Sequence, residues 1–192
     1  RLRPFDDDAV AEATKIPRYG AAFTEAFARP AGTVTARFGD ELRYRFEGED
    51  LGVQEVQGLF IRAADPGSQV YAANGGTVIW SRENGIYGST VILDHGLGIT
   101  TRYSHLRAIA VAEGATVRRG DIIGFSGDSG LVPYPMTYFE LRLQGQPVDP
   151  EEWCDAGSFY RRFTAKIDEA RKKQGLPVDH GLDFAFKAED KK

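Results

Sequence analysis

Short alternating and apolar runs, each only a few residues long, dominate the central part of the chain. They are separated by Gly, Asn, Asp and Pro, the residue types that favour turns over continued strands. The β-prone runs cover residues 33–38, 42–46, 76–80, 90–93, 99–103 and 138–142. Many short strands punctuated in this way are typical of antiparallel sheets. The pattern therefore predicts a mainly β fold, either an antiparallel β sandwich or a partly open barrel.

The pattern changes after Pro150, where apolar residues recur at helical spacing among charged ones. The apolar positions are Trp153, Phe159, Phe163 and Ile167. They predict an amphipathic helix over 151–174 that ends near Gly175. Such a helix either docks on the β core through its aromatic side or presents that side to a partner. Its position relative to any groove is left open.

The amino-terminal part is mixed in character. Three aspartates open a stretch over 6–12 that predicts a short helix, which Pro17 interrupts. We expect a chain of three parts, with an N-terminal extension over 1–32, a β domain over 33–153 and a C-terminal helix and tail over 154–192.

The composition and net charge of the chain argue against several classes of function. The chain has 192 residues, of which 42% are hydrophobic and 27% charged, as in a globular protein, and no apolar run is long enough to span a membrane. A net charge of -4 argues against nucleic acid as a partner. The single Cys154 excludes an internal disulfide and a thiolate metal cluster, and we expect a packed thiol there. The chain opens on Arg1, so we expect a processed or truncated product, with no export signal visible.

Several blocks follow one another in a fixed order from residue 37 to residue 150. They read RFGDELRY at 37–44, AADPGSQVYAA at 63–73, GSTVILDHG at 88–96, YSHL at 103–106, VAEGATVRRGDIIGFSG at 111–127, FELR at 139–142 and VDP at 148–150. Together they resemble the LytM, or lysostaphin-type, M23 peptidase domain over residues 38–153. The resemblance implies a LytM-type β fold, an exported, periplasmic or cell-envelope location and a role at peptidoglycan.

Active members of that family hold zinc with the His and Asp of an HxGxD motif and the second His of an HxH motif. Three ligands leave one zinc position open for the attacking water, on which the first His of HxH and the His of YxHL act. In this chain the resemblance implies that neither of these two motifs keeps its zinc ligands or its catalytic histidine. Aligned on the family's pattern, the four positions hold Val56, Phe60, Met136 and Tyr138. Only His105, in YSHL, remains.

The resemblance therefore implies a degenerate member with no catalytic residue beyond the remnant His105, no metal and no cofactor. The replacements are at least partly apolar, so we expect the former metal cavity to pack closed or to form an apolar groove. That groove would be lined by Val56, Phe60, His105, Met136 and Tyr138. A second His and Asp pair, His180 and Asp183, lies after the last predicted strand and has the wrong spacing for HxGxD, so we do not expect a substitute metal site there.

Three functions remain open from the sequence. The first is a catalytically inactive LytM domain that binds or regulates a peptidoglycan hydrolase or another cell-envelope protein. The second is an active zinc endopeptidase that cleaves peptidoglycan cross-links. Its zinc ion would be held by ligands that the motifs do not reveal. The third is direct, nonhydrolytic binding of peptidoglycan. An aromatic sugar-binding surface is the weaker alternative to core packing for Trp80, Tyr87, Tyr134 and Tyr138. His95 is expected to form hydrogen bonds inside the core.

Overall fold

The computed structural model describes residue 23 and residues 25–176. In this part of the chain the strands are β1 (Thr33–Ala36), β2 (Glu41–Phe46), β3 (Glu49–Glu55), β4 (Leu59–Arg62), β5 (Gln69–Tyr71), β6 (Gly76–Glu83), β7 (Ser89–Asp94), β8 (Ile99–Ile109), β9 (Thr116–Val117), β10 (Ile122–Ser126), β11 (Thr137–Leu143) and β12 (Gln146–Val148). The predicted mainly β fold is confirmed.

Ten of these strands form one antiparallel sheet, and β2 and β3 form a separate hairpin. The main path of the sheet runs β1-β4-β11-β8-β7-β6-β9, with β12 added to β11 and β10 lying between β8 and β5. The path does not return to its start, so the described strands form an open antiparallel sheet and not a closed barrel.

Strand β8 bends at His105 and thereby joins two parts of the sheet. Before the bend Ser104 pairs with Tyr138 of β11, and after it Leu106 pairs with Ser126 of β10. His105 has a φ of 63°, which is rare for a residue with a side chain and marks the change of direction.

The two faces of the sheet carry different residues. On β11, Phe139 and Leu141 point into the main core, whereas Tyr138 and Glu140 alternate with them and point to the opposite face. The main core is aliphatic and aromatic. Its fully buried members include Leu59, Ile61, Val91, Leu93, Ile99, Tyr103, Leu106, Ile123, Phe139 and Leu141.

Helical structure follows β12, as predicted, but it is interrupted. The segments are α1 (Pro150–Cys154), α2 (Ala156–Phe159), a π-helical turn (Tyr160–Thr164) and α3 (Ala165–Lys173). The break falls at Asp155, whose backbone is extended and whose carboxylate accepts the N–H of Ser158 at 2.7 Å. Asp155 thus caps a new helix start, a preference that the apolar spacing alone does not reveal.

The helical segments pack on their own β core. The rings of Trp153 and Phe163 lie 5.1 Å apart, and Phe159 stacks on Phe163 at 5.7 Å. Phe23 and Phe27 join this aromatic group, and both are 1% exposed. Docking on the same chain, one of the two alternatives, is therefore what the structure shows. The helix predicted within 6–12 lies outside the described residues, and the three-part division of the chain stays a prediction.

Candidate functional site

The candidate site lies on the face of the sheet opposite the main core, where β4 and β11 run side by side. Phe60 pairs with Tyr138 across these strands, and their ring centroids are 4.8 Å apart. They belong to an apolar group that we call the site cluster. Its members are Ala36, Leu42, Val56, Phe60, Ile86, Tyr87 and Tyr138.

Most of the residues expected to line a groove are closed off from solvent. The exposed fractions are 3% for Val56, His105 and Tyr138 and 4% for Met136. Met136 pairs with Gly127 through the main chain and is not part of the site cluster. Phe60 is partly exposed, as are Leu42 and Ile86 beside it. The side chains of the site cluster thus pack against one another, and the part that solvent reaches is an apolar surface formed by its partly exposed members.

His105 lies at the edge of this cluster. Its ring centroid is 6.3 Å from those of Phe60 and Tyr87. Nδ1 lies 2.9 Å from the carbonyl oxygen of Ser129, and because a carbonyl only accepts, Nδ1 carries the proton. Burial lowers the pKa of His105 to about 4, with the charge of Arg102 acting in the same direction and the Ser129 hydrogen bond opposing it. The imidazole is therefore neutral at physiological pH.

Beneath the site cluster lies a buried charged network. Arg102 Nη2 donates to Glu140 Oε2 at 2.5 Å, the Tyr138 hydroxyl donates to the same oxygen at 2.7 Å, and Arg142 Nε donates to Oε1. The Arg102 guanidinium also lies over the rings of Tyr87 and Tyr138, at 4.1 and 5.0 Å from their centroids. The positive charge of this guanidinium therefore lies directly beside the aromatic rings of the site.

The network sets the charge state of its members. Burial alone opposes ionisation of Glu140, but the guanidinium groups of Arg102 and Arg142 and the Tyr138 hydroxyl outweigh it, so the pKa of Glu140 lies below its ordinary value. Burial and the Glu140 charge raise the pKa of Tyr138 well above 10. The carboxylate is ionised and the phenol neutral at physiological pH.

Sequence reasoning missed Arg102 and Glu140. The signal was present, since each is a charged residue in the middle of a β-prone run, where burial requires a partner. Their pairing depends on the register between β8 and β11, in which Glu140 lies opposite Arg102.

A catalytic zinc does not fit the described surroundings of His105. The site needs three neutral or anionic ligands, yet His105 is the only imidazole there and Tyr138 is a phenol whose pKa is raised. The neighbouring Arg102 guanidinium would also repel a dication. Among residue 23 and residues 25–176, no group of three or more His, Cys, Asp and Glu side chains is arranged to hold a metal ion. His180 and Asp183 lie outside the described residues.

Two other residues singled out in the sequence serve the core. His95 is fully buried, with Nδ1 2.6 Å from the Gly75 carbonyl and Nε2 2.7 Å from the Thr101 hydroxyl, which confirms hydrogen bonding inside the core. Burial lowers its pKa to about 4. Cys154 packs beside the main core, and burial raises the pKa of its thiol to about 12, as expected of a packed thiol.

The aromatic residues considered as a sugar-binding surface do not form one. Trp80, Tyr87 and Tyr138 are 8%, 5% and 3% exposed. Trp80 is in a different cluster from the other two, with Ile92. Tyr134 is more open, and the Arg62 guanidinium lies 4.1 Å from its ring centroid. Core packing accounts for three of the four.

Comparison with known proteins agrees with this architecture. The family model described as Peptidase family M23 matches residues 54–150, and the chain belongs to this family. A crystal structure of a putative peptidase M23 from Pseudomonas aeruginosa superposes with a TM-score of 0.67 at 24% identity, covering 81% of this chain and 61% of that one. At this identity the likeness shows the fold.

Curated relatives include both enzymes and an activator. The chain is 41% identical over 88 residues to the DD-carboxypeptidase/endopeptidase Mpg of Neisseria meningitidis, covering 46% of this chain and 20% of Mpg. It is 34% identical over 134 residues to the murein hydrolase activator EnvC of Escherichia coli, covering 70% of this chain and 30% of EnvC. The chain therefore spans less than a third of the length of either relative.

Proposed function

We propose that this chain is a catalytically inactive M23 domain that binds and regulates a peptidoglycan hydrolase or another protein of the cell envelope. The observation that carries the proposal is the surroundings of His105. Apolar Val56, Phe60 and Tyr138 stand where the family's active members are expected to hold zinc ligands. A site of this composition is suited to contact with another protein and lacks the groups that activate water.

Two further observations support a regulatory role. The similarity to the murein hydrolase activator EnvC extends over 70% of this chain, beyond the 46% shared with Mpg. The partly exposed side chains of Leu42, Phe60 and Ile86 offer an apolar contact surface next to the fixed charge of Arg102. An exported, periplasmic or cell-envelope location belongs to the same proposal, because the substrate of such a hydrolase lies outside the cytoplasm.

The test is release of dye from labelled sacculi. The chain alone should release none, and together with a purified murein hydrolase it should change that enzyme's rate. Phe60→Ala should weaken the effect at least fivefold without changing the melting temperature by more than a few degrees. Leu97→Ala removes an exposed leucine from the β7–β8 turn, away from the site, and should act like the parent chain.

The competing functions predict different results. Dye release by the chain alone, together with one equivalent of zinc that His105→Ala abolishes, would establish an endopeptidase like Mpg and overturn the proposal. Sedimentation of the chain with purified sacculi, with no effect on any hydrolase, would instead favour nonhydrolytic binding of peptidoglycan.

A further inference from the structure

The helical segment that follows Asp155 has a charge opposite to that of the chain. Residues 156–176 contain six basic side chains and only two carboxylates, a net charge of +4 in a chain whose overall charge is -4. The basic residues are Arg161, Arg162, Lys166, Arg171, Lys172 and Lys173. Such a local reversal creates a positive surface on an acidic protein.

The positive charge of this segment is directed outward and is only partly compensated. Asp168 is 6% exposed, so one of the two carboxylates is turned inward. The other, Glu169, pairs with Lys173 at 2.9 Å. Arg162 pairs with Glu152, outside the segment, at 2.6 Å, whereas Lys166, Arg171 and Lys172 have no ion-pair partner among residues 25–176. Lys166 and Lys173 are about two helical turns apart and lie on the same outer side of α3.

Two exposed apolar side chains border this positive surface. Tyr160 is 48% exposed at the start of the π-helical turn, and Leu176 is 51% exposed just beyond α3. The opposite side of the segment is held by Phe159 and Phe163, which pack on the aromatic group of the core. The exposed part of the segment therefore combines basic side chains with a tyrosine near its start and a leucine just beyond its end, and exposed basic side chains of this kind are attracted to anionic lipid.

We propose that residues 160–176 dock this domain on a membrane surface that carries anionic phospholipids. The lysines lie near the lipid phosphates, and Tyr160 and Leu176 enter the headgroup region. These two apolar side chains favour lipid over nucleic acid as the partner. Basic residues bind nucleic acid through its phosphates, and an exposed leucine does not contribute to that contact. Among the described residues no helix is long and apolar enough to cross a membrane, and this contact is peripheral.

Docking in this way orients the candidate site. The helical segment packs on the face of the sheet that carries Phe139, whereas Tyr138 and Phe60 lie on the opposite face. The hairpin of β2 and β3 packs beside the site through Leu42, and residues 40–55 carry six carboxylates against two arginines. An anionic membrane repels this hairpin and attracts the helical segment. Both electrostatic interactions therefore turn the candidate site away from the membrane.

The first test is sedimentation with vesicles of phosphatidylcholine alone or with about a third phosphatidylglycerol. The chain should partition at least fivefold more strongly to the anionic vesicles at low salt and lose that preference at high salt. The combined variant Lys166→Gln, Lys172→Gln and Lys173→Gln should reduce partitioning at least fivefold. These side chains are exposed, so circular dichroism and the melting temperature should match the parent chain.

A matched control removes the same amount of charge elsewhere. The combined variant Arg43→Gln, Arg45→Gln and Arg82→Gln neutralises exposed arginines outside the helical segment and should bind anionic vesicles as well as the parent chain. Equal partitioning to both kinds of vesicle, retained binding by the lysine variant, or an equal loss in the control would overturn the proposal. So would a labelled DNA duplex that binds through the same lysines and displaces the chain from vesicles.

The orientation has its own measurement. In a Cys154→Ala background, an environment-sensitive dye is attached at Leu176→Cys or at Leu131→Cys, a 70% exposed position on the loop that also carries Ser129. On anionic vesicles the dye at 176 should shift to the blue and be quenched by spin-labelled lipid, and the dye at 131 should not change. The reverse pattern would show that the site faces the membrane and would contradict the proposed docking.

Discussion

Arg102 and Glu140 form an ion pair that is closed to solvent, with Nη2 and Oε2 2.5 Å apart and side chains 2% and 0% exposed. Arg102 at the same time lies over Tyr87 and Tyr138, so the pair links two neighbouring strands to the aromatic part of the site. Removing one partner from such a pair leaves a buried charge without compensation, which is far more costly than losing a surface pair.

Glu140→Gln should therefore destabilise the fold by about 3–5 kcal/mol. The glutamine amide has nearly the shape of the glutamate carboxylate. The loss in the free energy of unfolding therefore measures the effect of the missing charge and not of a change in side-chain volume. Urea unfolding followed by circular dichroism measures it. Asp50→Asn is the matched control, because it breaks the exposed Arg43–Asp50 pair at 2.6 Å and should cost less than about 1 kcal/mol. Similar losses in both variants would show that Arg102 does not depend on Glu140.

Stability should fall as the solution is acidified from pH 7 to pH 5. Burial lowers the pKa of both His95 and His105 to about 4, whereas an unfolded histidine has a pKa of about 6.5. In the window between these values the unfolded chain binds more protons, so the free energy of unfolding decreases as the pH falls. Each imidazole should contribute about 2 kcal/mol between pH 7 and pH 5.

Chemical unfolding at a series of pH values checks this expectation. His105→Gln should remove about half of the pH dependence, because His95 still titrates, and the free energy of unfolding should be level above about pH 7. An unchanged pH profile in His105→Gln would mean that the imidazole of His105 is not shielded in the folded state.

The sequence predicted some strands and missed others for physical reasons. The runs that became β7, β8 and β11 are rich in β-branched or aromatic residues, and they lie at the centre of the sheet, so pattern and environment agree. Strand β3 was missed because Glu49–Glu55 holds three carboxylates and Gly52, and only two of its seven residues are apolar. The turn that joins it to β2 is formed by Glu47 and Gly48, which have φ of 49° and 86°.

The sequence predicted some of the positions of the candidate site that lie together but not how the space around them is filled. Aligning the motifs placed Phe60 and Tyr138 at corresponding positions, and the register of β4 against β11 brings their rings into contact. The filling of the site was not predictable, since it depends on Tyr87 and on the charged network beneath it. These contacts join residues far apart in the sequence, and neither composition nor spacing encodes their distances.

Gly88 should tolerate no side chain, because the loop that holds His105 passes directly over it. A Cβ at Gly88 would lie 2.3 Å from Ser129 Oγ and 2.6 Å from the Gly130 nitrogen, and the backbone there has a φ of 62°. Gly88→Ala should therefore cost about 3 kcal/mol or more, as overpacking adds to backbone strain. It should also shift the imidazole NMR signals of His105, whose partner is the Ser129 carbonyl.

Gly114→Ala separates these two effects. Gly114 has a φ of 84° but no atom within 4 Å of an added Cβ, so only the backbone strain remains. This variant should lose about 1–2 kcal/mol and leave the His105 signals in place. If Gly88→Ala behaved in the same way, the close approach of the two loops would be contradicted.

Introducing polar ligands at three positions of the site cluster should create a zinc site. Val56, Phe60 and Tyr138 converge in the site cluster, and the family resemblance predicts that they stand where active members have a His, an Asp and a His. The combined variant Val56→His, Phe60→Asp and Tyr138→His should bind about one equivalent of zinc, since three such ligands on fixed strands satisfy a tetrahedral ion with one open position. Elemental analysis after dialysis against trace zinc measures the stoichiometry, and the parent chain should retain none.

The same ligands placed apart provide the control for this variant. Val53→His, Leu97→Asp and Leu131→His introduce two imidazoles and a carboxylate at exposed positions and should bind no stoichiometric zinc. Failure of the first variant to bind metal while its circular dichroism stays native would show that the Arg102 guanidinium, 5.0 Å from the Tyr138 ring, still repels the ion. Adding Arg102→Gln, which removes this guanidinium while Glu140 keeps its pairing with Arg142, should then restore binding. If it did not, these three positions would not be the counterparts of the family's ligands, and the proposal of a catalytically inactive M23 domain would lose the observation that carries it.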